Sequence, residues 1–224
     1  MPKPKINNKA PIFKGDCTGG KEISLSELLG KNVVLYFYPK DSTPGCTTEG
    51  QDFRDLKGQF TRANTVIFGL SRESIKSHEK FKANEKFNFD LISDPDEKIC
   101  KQYDVIKEKS MYGKKYMGIE RSTFLINDKG KLVKEWRKVK VSGHAKEVLE
   151  AAKELWFYSF IGSGQELIIA LIKVAKGIAK NSPQKPHIPP KNKTEMIITT
   201  GCKLFLLENN KGTSTFPSNI WIAK

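Results

Sequence analysis

Cys46 is the residue whose type and setting point most directly to chemistry. A thiolate is a strong nucleophile, and a thiol becomes one where the local field favours the anion. Cys46 follows Pro39-Lys40-Asp41-Ser42-Thr43-Pro44-Gly45, a loop by composition. Thr47-Thr48-Glu49 then opens a helix with apolar positions at Phe53, Leu56 and Phe60. A sulfur in a first helical turn faces unpaired N–H groups and the positive end of the helix dipole. Thr43 can cap that helix and turn its hydroxyl toward an oxygen bound near the sulfur. The N–H groups of Gly45 and Cys46 can aim at the same oxygen, while Pro39 and Pro44 offer no N–H and shape the wall. Arg121 precedes a later strand, and a guanidinium beside the sulfur would hold the thiolate and polarise an O–O bond. Glu49 either joins this polar frame or complements the helix dipole. As bare residues, Cys46 equally suits a small buried side chain, and Arg121 a surface charge.

The elements that position these residues alternate. Val33 to Tyr38 is a continuous apolar run and reads as a buried strand, as does Thr65 to Ser71. Between them lies the Cys46 helix. An amphipathic helix covers about 74–87, Phe89 to Ile92 is a short extended piece, and Ser93-Asp94-Pro95-Asp96 starts a short helix carrying Ile99, Cys100 and Tyr103. Ser122 to Ile126 is a third strand, Asn127-Asp128-Lys129-Gly130 a hairpin turn, and Lys131 to Val139 the return strand. His144 to Trp156 closes the domain as a helix, with His144 at its start. Before the first strand, glycines at 15, 19 and 20 suggest a small hairpin, and Ser24 with Glu27 has capping-box spacing for a very short helix. The pattern predicts an α/β domain around a mixed central sheet.

Composition narrows the class. The chain has 224 residues, 38% hydrophobic and 29% charged, enough for one sizeable core and something more. The formal charge is +14, carried by 34 Lys and only 5 Arg scattered along the chain. That is a lysine-rich solvated surface, with weak salt-dependent adhesion to polyanions and no specific nucleic-acid partner expected. The four cysteines, Cys17, Cys46, Cys100 and Cys202, lie far apart, and with three His they form no metal-ligand spacing. The polar N-terminus lacks the apolar core of a secretory signal, so a reducing cytoplasm and free thiols are expected.

The segment Tyr36-Phe37-Tyr38-Pro39-Lys40-Asp41-Ser42-Thr43-Pro44-Gly45-Cys46-Thr47-Thr48-Glu49 resembles the peroxidatic-cysteine segment of peroxiredoxins, in particular the bacterioferritin comigratory protein or Q-type branch. The likeness continues through Gly69-Leu70-Ser71-Arg72-Glu73-Ser74, Leu91 to Asp96, Tyr112 to Phe124 and Gly143-His144, and covers about residues 5–156. It implies a thioredoxin-like fold, reduction of hydrogen peroxide and organic hydroperoxides, and no metal or organic cofactor. By position it makes Cys46 the peroxidatic residue, with Thr43, Arg121 and Pro39 completing its pocket. Many members of the branch carry a resolving cysteine five residues on, where this chain has Gln51, or in the following helix, where 74–87 has none. Cys100 reads as a core-facing thiol, and Cys202 remains a candidate because a mobile tail can fold back. The expected mechanism uses one cysteine, with thioredoxin, glutaredoxin or glutathione as reductant. A monomer is expected.

Residues 157–224 differ in kind and match nothing in the family. Residues 157–180 are amphipathic around Gly162-Ser163-Gly164, 181–193 is a proline-rich linker, and 197–207 has strand character. The expected division is therefore a domain over 1–156 and an extension over 157–224. Two further readings stand beside the peroxidase: a monothiol disulfide reductase on the same fold, and a basic adhesion segment in the tail that contacts membrane or nucleic acid. The missing second cysteine beside Cys46 and the Pro39/Thr43 frame weigh against the reductase.

Overall fold

The computed structural model describes residues 3–111 and 114–157. The expectations for residues 158–224, including Cys202, lie outside the described residues, and the division at 156/157 falls at their edge.

Nine strands and four helices are described. The strands are β1 (Lys14–Cys17), β2 (Lys21–Ser24), β3 (Asn32–Phe37), β4 (Thr65–Ser71), β5 (Asp90–Ser93), β6 (Ile106–Met111), β7 (Lys114–Ile119), β8 (Ser122–Ile126) and β9 (Leu132–Trp136). The helices are α1 (Pro44–Arg62), α2 (Ile75–Asn84), α3 (Lys98–Gln102) and α4 over 144–157. Seven strands form one sheet in the order β2-β1-β5-β4-β3-β8-β9. β3 pairs parallel with β4 and antiparallel with β8, so the sheet is mixed, as its sequence predicts.

The continuous apolar run of β3 is explained by its position: both of its faces are covered. Val33, Leu35 and Phe37 enter one core cluster with Leu70, Ile92, Phe124, Cys17 and Cys100. Val34, Tyr36 and Tyr38 enter the other, with Cys46, Phe53 and Phe60 of α1, Phe81 of α2 and Val148 and Leu149 of α4. Alternation of period two thus splits the domain into two half-cores, with the sheet between them. Cys46 lies in one half, and Cys17 and Cys100 in the other.

The short helix near residue 25 forms as a single 3-10 turn, Leu25–Leu28, with the reciprocal Ser24–Glu27 capping box in place. One pairing has no counterpart in the sequence reading. β6 and β7 form a separate two-stranded sheet, Ile106 opposite Ile119. Its exposed Lys, Glu and Ser positions show no apolar alternation, which is the signal a strand reading needs.

Candidate active site

Cys46 lies in the first turn of α1, because the helix begins at Pro44. Proline favours that position, since its fixed φ suits the helix and its missing N–H costs no bond there. Thr47 N–H donates to Thr43 O at 2.8 Å. The N–H groups of Gly45 and Cys46 have no protein acceptor among the described residues. Two unused donors and the positive end of the dipole therefore lie in the helical turn that carries the sulfur.

Thr43 occupies the N-cap position with extended backbone, but its side chain makes no capping bond. That part of the sequence reading is corrected: the Thr43 hydroxyl donates to Lys40 O at 3.1 Å instead. The donation fixes the hydroxyl hydrogen and leaves the oxygen lone pairs to accept from another group. Pro39 is half-buried in the same loop. Glu49 is also corrected in place. With α1 starting at Pro44, it falls in the second turn, no acidic residue occupies the first turn, and it is buried.

Arg121 meets this site across the sheet. Tyr36 pairs with Thr123 and Phe37 with Ser122, so the residue just before β8 arrives beside the loop that follows β3. Its Nη2 donates to Cys46 Sγ at 3.2 Å, and its Nη1 pairs with Glu49 Oε2. One planar fork thus serves the thiol and a carboxylate together. The guanidinium packs against Gly45, where a Cβ would lie 3.4 Å from Nη2. Burial alone would lower the Arg121 pKa, but the Glu49 and Cys46 charges outweigh it and raise it. For Glu49, burial dominates and lifts the carboxyl to about 7 despite the Arg121 charge. Glu49 Oε1 is buried without a partner among the described residues. Tyr36 floors the site. Its ring stacks on Phe53 at 4.8 Å, and burial, then the Glu49 and Cys46 charges, hold its phenol well above the usual range.

Two neighbours play a larger part than the sequence reading gave them. Lys109 of β6 donates to Ile119 O at 2.6 Å, and burial, then the Arg121 charge, lowers its pKa. His144 is a buried core residue rather than merely a helix start. Its Nε2 lies 2.8 Å from Thr123 Oγ1, and burial pulls its pKa down to about 4. A cleft of about 330 Å³ is lined by Trp136, Lys138, Val139, Lys140 and His144 among others, and Thr43, Cys46 and Arg121 do not line it. Among the described residues, no three His, Cys, Asp or Glu side chains gather as a metal would require.

The AhpC/TSA family matches residues 6–135. The chain belongs to that family. It is a peroxiredoxin, an oxidoreductase of the thiol-dependent peroxidase class. Peroxiredoxin Bcp of Xanthomonas campestris is 56% identical over 136 residues, which are 61% of this chain and 85% of that one. Peroxiredoxin Bcp of Bacillus subtilis is 48% identical over 151 residues, 67% of this chain and 96% of that one. A solved structure describing the alkyl peroxide reduction activity of Xanthomonas campestris bacterioferritin comigratory protein has a TM-score of 0.62 at 52% identity, covering 64% of this chain and 92% of that chain. The fold of this peroxiredoxin is accordingly thioredoxin-like. A peroxide substrate and a thiol reductant follow from the class. No helix among the described residues is long and apolar enough to cross a membrane.

Proposed function

We propose that Cys46 is the peroxidatic nucleophile of this peroxiredoxin, acting on hydrogen peroxide and alkyl hydroperoxides by a one-cysteine cycle. The observation that carries this reading is Arg121 Nη2 at 3.2 Å from Cys46 Sγ, at a helix start with two unused N–H donors. The thiolate attacks the terminal oxygen of the hydroperoxide and the O–O bond breaks. Sulfur gains the hydroxyl as sulfenic acid, and the alkoxide leaves and takes up a proton as alcohol. The Gly45 and Cys46 N–H groups and Arg121 stabilise charge on the oxygens as it develops. Thr43 accepts the peroxide O–H, because its own hydrogen is committed to Lys40 O. Pro39 closes the wall. An external thiol then displaces water from the sulfenic acid, and a second thiol releases the mixed disulfide; thioredoxin, glutaredoxin or glutathione supplies them.

The one-cysteine cycle is supported by where the other thiols lie. Cys17 and Cys100 pack in the half-core on the far side of the sheet from Cys46. A disulfide needs Cα atoms within about 7 Å, and neither can approach without opening the sheet. Burial, then Asp94, raises the Cys100 thiol far above the range of a reactive one. α2 contains no cysteine, and Gln51 is occupied in a bond to Glu85 at 2.8 Å. Cys46→Ser should abolish peroxide consumption, whereas Cys17→Ser and Cys100→Ser should retain it with a small-thiol reductant. Mass spectrometry after one equivalent of peroxide should find sulfenic acid on Cys46. A disulfide from Cys46 to Cys100 or Cys202, with lost turnover in the matching serine variant, overturns the one-cysteine reading. Peroxide consumption by Cys46→Ser overturns the assignment of the nucleophile.

A further inference from the structure

A buried cluster of Asp41, His78, Ser77 and Tyr38 holds the loop before Cys46, and the peroxide chemistry does not itself use it. Asp41 Oδ2 lies 2.9 Å from His78 Nδ1 and accepts from Ser77 Oγ at 2.6 Å, both in α2. Asp41 Oδ1 accepts from Tyr38 Oη at 2.8 Å and lies 3.1 Å from the same His78 nitrogen. On the other side of the ring, His78 Nε2 lies 3.1 Å from the Ile92 carbonyl of β5. A carbonyl can only accept, so Nε2 carries a hydrogen, while Nδ1 faces the Asp41 carboxylate and lies 3.3 Å from Tyr38 Oη. His78 is fully buried and Asp41 nearly so. Burial alone would raise the Asp41 pKa, but the bonds from His78 and Ser77 outweigh it and hold the group below the usual carboxylate range.

This placement is specific to one segment. Among the described residues, Asp41 makes all the hydrogen bonds from loop 39–43 to the rest of the domain outside that loop and α1. Its neighbours are the parts that need holding. Lys40 O receives the Thr43 hydroxyl at 3.1 Å, and Ser42 lies at φ +56, a left-handed conformation that a non-glycine residue keeps only where its surroundings impose it. A buried polar cluster selects one arrangement when each of its members must be satisfied. Here that arrangement sets the Lys40 carbonyl, and the carbonyl sets the Thr43 hydroxyl.

We propose that Asp41 and His78 are positioning residues for the peroxide step, their buried contact fixing the turn that orients Thr43 toward an oxygen held at Cys46. The inference rests on Cys46 as the nucleophile. The test is the second-order rate of Cys46 oxidation by hydrogen peroxide and by cumene hydroperoxide in single turnover, with circular dichroism to establish folding. Asp41→Asn, which keeps size and loses charge, should slow oxidation by ~10- to 100-fold, the scale of a misplacement of about 1 Å. Ser77→Ala, which spares the Asp41–His78 contact and removes one donor, should slow it by about threefold to tenfold. Both effects should shrink to less than about threefold in a Thr43→Val background, because residues acting through one hydroxyl are not additive. A merely structural role would leave the effects multiplicative. Ser77→Ala alone decides the matter if Asp41→Asn does not fold. Folded variants oxidised at the wild-type rate, or effects that multiply fully with Thr43→Val, overturn the proposal. A wild-type protein that consumes no peroxide overturns the assignment of Cys46 instead, so the two failures are distinct.

Discussion

The fork of Arg121 is what joins charge to reactivity at the scale of single residues. Its two terminal nitrogens reach Cys46 Sγ and Glu49 Oε2 at once. A lysine offers one ammonium on a flexible stem and cannot hold both in a fixed plane. Arg121→Lys should therefore lower the rate of Cys46 oxidation by ~10²-fold, comparable to removing one donor from an oxyanion site. Stopped-flow measurement under single-turnover conditions checks this, and a loss of less than about threefold would show that charge alone suffices. Sequence reasoning reaches such residues unevenly. Pro39, Thr43, Gly45 and Cys46 share one loop and one helical turn, so local spacing already aims them at a common point. Arg121 lies 75 residues from Cys46. Only strand order brings it there, and no spacing rule contains strand order; the family likeness supplied it. Asp41 and His78 are 37 residues apart on a loop and a helix. Neither carries a local signal for the other, so their pairing is visible only in the fold.

Elements followed the sequence where apolar periodicity was strong and departed from it where it was weak. β3 and β4 are buried on both faces and stand close to the ends that their apolar runs give. β6 and β7 form a pair on the outside of the main sheet, with lysines in place of an apolar stripe, and no periodicity announced them. α1 shows the competition between propensity and packing within a single helix. At Gly58 a Cβ would meet nothing within 4 Å. At Gly50 it would collide with the ring of Phe87, whose nearer edge atom lies 2.8 Å away or closer. Alanine gains about 1 kcal/mol over glycine in a helix interior. Gly58→Ala should thus raise stability by ~0.5–1 kcal/mol. Gly50→Ala should lower it by ~1–2 kcal/mol, since overpacking costs about 1–3 kcal/mol. Urea denaturation measures both, and a Gly50→Ala protein as stable as Gly58→Ala would mean that Phe87 yields without cost.

Two of the domain's buried titrations, those of Glu49 and His144, have opposite sign. Glu49 is 1% exposed, with its pKa raised by burial from 4.5 to about 7. The folded state therefore holds a proton that the unfolded chain releases. Its contribution to stability is complete below pH 4.5 and is lost as the pH rises through 7. His144 is 4% exposed, with its pKa lowered by burial from 6.5 to about 4. There the unfolded chain takes up the proton first, so the contribution is complete above pH 6.5 and is lost as the pH falls toward 4. Between 4.5 and 6.5 the two slopes oppose each other, and above 6.5 only Glu49 still titrates. Each displacement corresponds to ~3 kcal/mol, at about 1.4 kcal/mol per pH unit. Wild-type curves alone would hide both, so the observable is the difference between variants. Relative to wild type, Glu49→Gln should gain up to ~3 kcal/mol between about pH 5 and 8, because the amide has no proton to lose. His144→Gln should gain a similar amount relative to wild type between about pH 7 and 4, whatever it loses in packing at neutral pH. Urea midpoints at four pH values in that range separate the two effects. If Glu49→Gln tracks wild type across pH 7, the guanidinium of Arg121 compensates the buried carboxylate fully, and the Cys46 site works with a permanently ionised Glu49.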